Sequence, residues 1–186
     1  MKDVKDRFYL VLHPRPAYVI GSGKVGVKVN FMAASWVTPV SEEPPRVAVA
    51  IDAESFTSEL ISQHGEYTVN VYPADKIDVV YTLGSASGRQ VDKVSRLNLK
   101  VKKGVAVEAP VLEDALAVLE CRVWKTVSCG EVKLYIGDVI AAYADETVFN
   151  RYGWNLRKTN LPLHNSGRGF YTIGRFVTAK SLLESR

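Results

Sequence analysis

Apolar and polar residues alternate with a period of two in one segment after another of this chain, and turn-forming residues fall between the segments. That repetition limits the fold more than any other feature. Ala17-Tyr18-Val19-Ile20, Val25 to Ala34, Arg46 to Ile51, Tyr67 to Tyr72, Gly104 to Glu108, Leu116 to Val127 and Val132 to Tyr143 all read as strands, the last two as one long hairpin through Cys129-Gly130. Pro39 to Pro45 reads as a turn region, because a proline has no N–H to give to a ladder. Helical signals are brief. Phe56 to His64 has Ser55 or Thr57 as N-cap, Leu60 and Ile61 facing inward and Gly65 as its stop. Asp75 to Leu83 carries Asp75 and Asp78 at capping-box-like spacing with Gly84 as its stop, and a short polar helix runs through Val91-Asp92-Lys93. The expectation is a mainly β chain with short helices, of the α+β kind and closed as a β-barrel, and not an alternating βαβ unit.

A length of 186 residues suits one core. A single domain over 1–186 is therefore expected, with a Gly-, Asn- and aromatic-rich tail from about 145 to 186 packing on the barrel or on a partner protomer. The charge balance, 24 Lys and Arg against 20 Asp and Glu, leaves +4 without any basic block. That excess is too mild to call for a polyanion or an anionic membrane. No run approaches 18 apolar residues, and the charged Met1 to Arg7 segment is not followed by a signal-type apolar core. The expected protein is cytoplasmic, with neither nucleic acid nor membrane as partner. Cys121, in a strand, and Cys129, in its turn, stand on the order of 25 Å apart in extended chain and are expected as free thiols. Three scattered histidines and no Cys-x-x-Cys argue against a metal site.

Gly21-Ser22-Gly23-Lys24-Val25-Gly26 satisfies the G-x-G-x-x-G pattern of dinucleotide-binding units. Such a unit needs a helix directly after the third glycine, so that its N-terminus can hold the pyrophosphate. Here Val27-Lys28-Val29-Asn30-Phe31 alternates like a strand, so the glycines are expected to serve a hairpin.

Two other stretches have the chemistry of anion sites. Asp52-Ala53-Glu54-Ser55-Phe56-Thr57 gathers hydroxyls and free backbone N–H groups at a helix start. Ser85-Ala86-Ser87-Gly88-Arg89, with Lys93 one helical turn on, adds small hydroxyl residues and two cations. A phosphate monoester needs several donors at once, and the two loops supply them together. Before both in sequence, the small residues around Ala33-Ala34-Ser35 would let a flat ligand lie against strand backbone.

Several ordered pieces carry a family resemblance: His13-Pro14-Arg15-Pro16, Asn30 to Pro39, Pro44-Pro45, Phe56 to Ile61, Tyr67 to Val71, Ser87-Gly88-Arg89 with Asp92-Lys93, Ala109-Pro110 and Leu119-Glu120-Cys121. From about His13 to Tyr143 the chain resembles the flavin reductase-like family of FMN-binding split barrels. The resemblance implies a homodimer that holds FMN near its subunit interface. It also implies transfer of electrons from NAD(P)H to free flavin, ferric chelates, or another small or protein acceptor. Carried over by position, it sets Ala34, Ser35, Trp36 and Thr38 along the isoalloxazine and ribityl chain. Asp52, Ser55 and Thr57 fall by the phosphate, and Ser87, Gly88, Arg89 and Lys93 in its second loop. Relatives active with a nicotinamide often carry Gly-Asp-His in the last hairpin, where this chain has Gly130-Glu131-Val132. That departure opens the alternative of an electron carrier without nicotinamide activity; a nucleic-acid-binding barrel is the more remote alternative. His13 is expected to be structural, His64 to close a helix, and His164 to lie in a tail that could cover a flavin.

Overall fold

A computed structural model of the chain describes residue 1 and residues 3–176. After a 3-10 helix over Lys5–Leu12 come β1 (Arg15–Pro16), β2 (Tyr18–Lys24), β3 (Lys28–Ala34), β4 (Val37–Ser41) and β5 (Arg46–Asp52). Helix α1 (Phe56–His64), β6 (Glu66–Val71), α2 (Ile77–Ser85), α3 (Lys93–Arg96), β7 (Val101–Lys103) and β8 (Pro110–Leu112) follow. The long hairpin is β9 (Ala117–Cys129) and β10 (Val132–Ala144), and β11 (Phe149–Asn150), β12 (Gly153–Trp154), β13 (Pro162–Ser166) and β14 (Gly169–Thr172) complete the described chain. No helix is long and apolar enough to cross a membrane among the described residues.

Seven strands form one antiparallel sheet in the order β3-β2-β6-β9-β10-β5-β4. Its two edge strands, β3 and β4, are joined by only Ser35 and Trp36. The sheet must therefore curl until its edges nearly meet, which makes a barrel split at that seam. Ile20, Val49, Ile51, Ile61, Tyr67 and Tyr135 fill one core cluster. Val19, Phe31, Tyr72, Val80, Leu83 and Leu112 form a second. Adjacent residues of β2, Val19 and Ile20, enter different clusters, so this strand is buried on both faces.

The G-x-G-x-x-G segment is a hairpin: β2 pairs with β3, and Lys24 pairs with Lys28 across a turn whose Gly26 has φ of +83°. Gly21 is needed for packing, because a Cβ there would collide with Pro110 O and Thr68 Oγ1. The cysteines are free, Cys121 buried and Cys129 exposed. Burial pushes the Cys121 thiol up to about 12.

Three local expectations are corrected. Pro39 lies inside β4 and does not open a turn; β4 is an edge strand that pairs only with β5, which leaves one side free of ladder bonds. Helix α2 starts at Ile77, with no side-chain cap, and runs past Gly84 to Ser85. Gly84 permits close approach to the sheet, since a Cβ on it would stand 3.1 Å from Ala33 Cβ. Finally, 104–108 is not a strand: the N–H groups of Val105, Ala106 and Val107 donate to the buried Glu120 carboxylate at 2.8, 2.6 and 3.2 Å and wrap the loop around it.

Candidate functional site

Helix α1 is held in place from both ends. Ser55 Oγ accepts from Ser58 N–H at 3.1 Å, Gly65 closes the helix in the left-handed region, and the Tyr135 hydroxyl meets Ser58 Oγ at 2.7 Å and Ser62 Oγ at 2.9 Å. Its first turn opens onto a polar lobe of about 390 Å³ that is also lined by Asn30, Ser87, Gly88 and Lys93. Several backbone N–H groups on this lining, among them those of Phe56, Thr57, Ser87 and Gly88, have no acceptor among the described residues. An unpaired N–H beside a cavity is a donor waiting for a ligand or water.

Lys93 is 5% exposed, and its Nζ donates to Leu83 O at 2.9 Å and Ala86 O at 3.0 Å, at the C-terminal end of α2. Burial lowers its amine to about 8. Asp92 caps α3 by accepting from Ser95 N–H at 3.1 Å and so fixes where Lys93 enters. Arg89 reaches Glu59 at 2.6 Å and Glu54 O at 2.8 Å, which brackets the 85–89 loop against α1.

A second, apolar lobe of about 250 Å³ adjoins the first, and Gly84 and Ser85 line both. Ala17, Ala34 and Ser35 form its sheet side, Tyr81 its helix side, and His164 and Phe170 its third wall. That wall comes from the tail, because β13 pairs with β1, Arg15 opposite His164, and with β14.

The positions expected from sequence divide as follows. Ala34 and Ser35 line the apolar lobe; Asp52, Ser55, Thr57, Ser87, Gly88 and Lys93 line the polar lobe. Trp36, Thr38 and Arg89 line neither. Trp36 gives its carbonyl to Ala50 N–H at 2.9 Å and packs beside Tyr9, and Thr38 is exposed on β4. The Ser55 and Thr57 hydroxyls are already engaged, Thr57 Oγ1 accepting from Asn30 Nδ2 at 2.9 Å. Sequence reasoning missed Asn30, whose signal was a carboxamide at a buried strand position, and Lys28, whose Nζ stands 5.9 Å from the Phe56 ring centroid. It also missed Tyr81 and Phe170, which carry no signal in a strand or helix pattern.

Gly88 is where the polar lobe is tightest. A Cβ there would overlap Asn30 Oδ1 and come to 2.9 Å from the Phe56 ring. Gly88→Ala is therefore expected to destabilise the protein by about 1–3 kcal/mol through overpacking, read as a shift in the urea midpoint; an unchanged midpoint would show that this contact relaxes freely.

A curled antiparallel barrel with a donor-rich lobe leading into an apolar one is a split barrel with a two-lobed cleft. The family described as "Flavin reductase like domain" matches residues 10–174, which includes the tail hairpin that lines the cleft. The protein YddH of Escherichia coli (strain K12) is 36% identical over 154 residues, 81% of this chain and 82% of YddH. Two solved structures are similar at 26% identity. The FMN-binding protein from Thermus thermophilus with bound 1-cyclohex-2-enone has a TM-score of 0.83, covering 97% of each chain. Flavoredoxin from Methanosarcina acetivorans has a TM-score of 0.84, covering 98% of this chain and 97% of that one. The chain belongs to the flavin reductase-like family.

Proposed function

We propose that the two-lobed cleft binds FMN without a covalent bond and that the protein is an NAD(P)H-dependent oxidoreductase, passing electrons through the flavin to free flavin, ferric chelates or another acceptor. The observation that carries this reading is the set of unpartnered N–H groups on the polar lobe, with the Lys93 ammonium among them. A phosphate monoester offers three acceptor oxygens and up to two charges, and an ammonium has three N–H donors, of which the two carbonyls use two. The third is left for the phosphate. The ribityl chain would pass Gly84–Ser85, and the isoalloxazine would lie toward Ala34 and Ser35. Arg89, and Lys28 over Phe56, add positive potential from outside the lobe. When bound, FMN supplies the hydride and electron chemistry, and no side chain has to serve as nucleophile.

A homodimer fits an N-terminal helix that has no covering of its own. Among the residues of Lys5–Leu12 none is buried, and Phe8, Val11 and Leu12 are 63%, 69% and 58% exposed. The segment is two short helical turns that meet at a kink at Arg7, and a second protomer would supply the packing its own barrel does not. Trp36, beside Tyr9 of this helix, would then be covered by dimerisation.

Val132 favours a second reading, an electron carrier without nicotinamide activity, and the similarity to a flavoredoxin supports it. Val132 sits opposite Asp52 across β10 and β5, at the rim of the polar lobe, and its side chain can neither donate a hydrogen bond nor hold a proton. The similarity to a protein that binds cyclohexenone makes small ring carbonyls a further class of acceptor. Anaerobic stopped-flow mixing of the FMN form with NADH and with NADPH separates the first two readings. Bleaching near 450 nm, the approximate flavin band, is expected with one of them; no bleaching with either would leave the carrier reading.

A further inference from the structure

Among the described residues, the apolar lobe is lined by one imidazole, that of His164. Its Nε2 is 3.2 Å from Gly167 O, and a carbonyl oxygen only accepts, so Nε2 carries a hydrogen. Nδ1 has no partner among the described residues and is not among the sequestered atoms, so it remains available to the cavity that the ring lines.

The ring is also held in place. His13 Nδ1 donates to the His164 carbonyl at 3.2 Å, which leaves His13 Nε2 as a buried acceptor without a partner. The two imidazoles stack edge to face at 5.6 Å, and Phe170 packs on His164 at 5.1 Å. The charged and titratable groups around it are His13, Arg15 opposite it on β1, Tyr81 across the lobe, and Arg168, which lies 5.2 Å over the Tyr81 ring. Among the described residues no carboxylate lines the lobe.

We propose that the doubly protonated His164 ring, through Nδ1–H, is the proton donor to a flat, carbonyl-bearing acceptor stacked on the flavin beside the wall that His164 forms. The proposal rests on the flavin reading above. For a cyclic enone the step balances as follows. FMN, when bound and reduced, would supply a hydride to the β carbon and be oxidised, the C=C pair moving onto the carbonyl oxygen. His164 hydrogen-bonds that oxygen and gives its proton to it, leaving the enol and a neutral imidazole; the enol then takes a proton at the α carbon from water and loses its O–H proton, giving the saturated ketone, and water reprotonates the imidazole. A carbonyl of the isoalloxazine itself has the same chemistry and would make the same contact, so the two sources need separate arms in the test.

FMN-loaded protein, wild type and His164→Gln, is reduced anaerobically and mixed with cyclohex-2-enone or, in parallel, with ferricyanide, which takes electrons singly and needs no proton. The loss expected on His164→Gln is about 100-fold with the enone and much smaller with ferricyanide. In oxidised wild-type protein, the His164 ring resonances in 1H–13C spectra should move on enone addition. The proposal is overturned if wild type is not reoxidised by the enone, if the variant loses equally with both acceptors, or if the His164 signals do not move. Movement on FMN binding alone, with none on enone addition, assigns the contact to the flavin and likewise overturns the proton-donor role. FMN dissociation constants measured on the same samples show separately whether the flavin reading itself has failed.

Discussion

Glu120→Ala is expected to lower stability by about 3–5 kcal/mol, the scale for stranding several buried partners at once. Glu120 is fully buried, and its two oxygens take three loop N–H groups and the Tyr143 hydroxyl at 2.8 Å. Alanine removes every one of those acceptors and leaves a cavity under the loop, where the carboxylate packs so close to Gly104 that a Cβ on that glycine would stand 2.8 Å from it. Glu120→Gln keeps one carbonyl acceptor but faces the loop amides with an NH2 that cannot accept, so it should recover only part of the loss. For a chain of this length about 1 kcal/mol corresponds to roughly 2–4 °C in Tm, so calorimetry should show a drop on the order of 10 °C for the alanine variant. A drop of a degree or two would mean that water replaces the carboxylate and that the loop is not organised by it.

Lys93→Met carries the second large effect, on ligand binding. It removes an ammonium from the polar lobe while keeping an unbranched apolar stem. A charge-assisted hydrogen bond contributes about 1.5–3 kcal/mol, so FMN should bind about 10- to 100-fold more weakly, whereas riboflavin, which lacks the phosphate, should bind nearly as it does to wild type. Equal losses for the two ligands would show that the variant has damaged the C-terminal end of α2 and not a phosphate contact. The pH dependence has a definite sign. Below about 8 the amine is protonated and FMN affinity is at its highest; as pH rises through that value the cation is lost and affinity falls. The bound dianion favours the protonated amine, so binding above that pH takes up a proton. In the free protein the linkage has the opposite sense: between about 8 and 10.5 the unfolded chain keeps a proton that the folded one has released, so Lys93 makes stability rise with pH in that window.

The sequence made the barrel legible because six of the seven strands of its sheet announce themselves by alternation or as short apolar runs, and the hairpin reading of Gly21 to Gly26 followed from the alternation after it. Helix α1 was equally plain, since Ser55 and Gly65 mark its two ends. What escaped was set by tertiary contact. Gly84 looks like a helix stop until α2 is laid against Ala33, where a glycine is what the spacing requires. The 104–108 segment has strand composition, but Glu120 outbids a neighbouring strand for its amides. At the site, the two anion loops could be found by charge and capping, and they do converge on one lobe. Arg89 could not be placed, because its partners Glu59 and the Glu54 carbonyl lie on α1 and the segment before it, far from it in sequence. His164 lies in a stretch with almost no periodicity, and only the pairing of β13 with β1 brings it to the cavity.

The most direct test is the visible spectrum of the protein as purified, followed by desalting after FMN addition and mass measurement of what denaturation releases. The two-lobed cleft predicts a yellow protein with a band near 450 nm, approximately that of free flavin, and release of FMN in about one equivalent per chain. A colourless protein that loses all added FMN on desalting would contradict the assignment of the cleft.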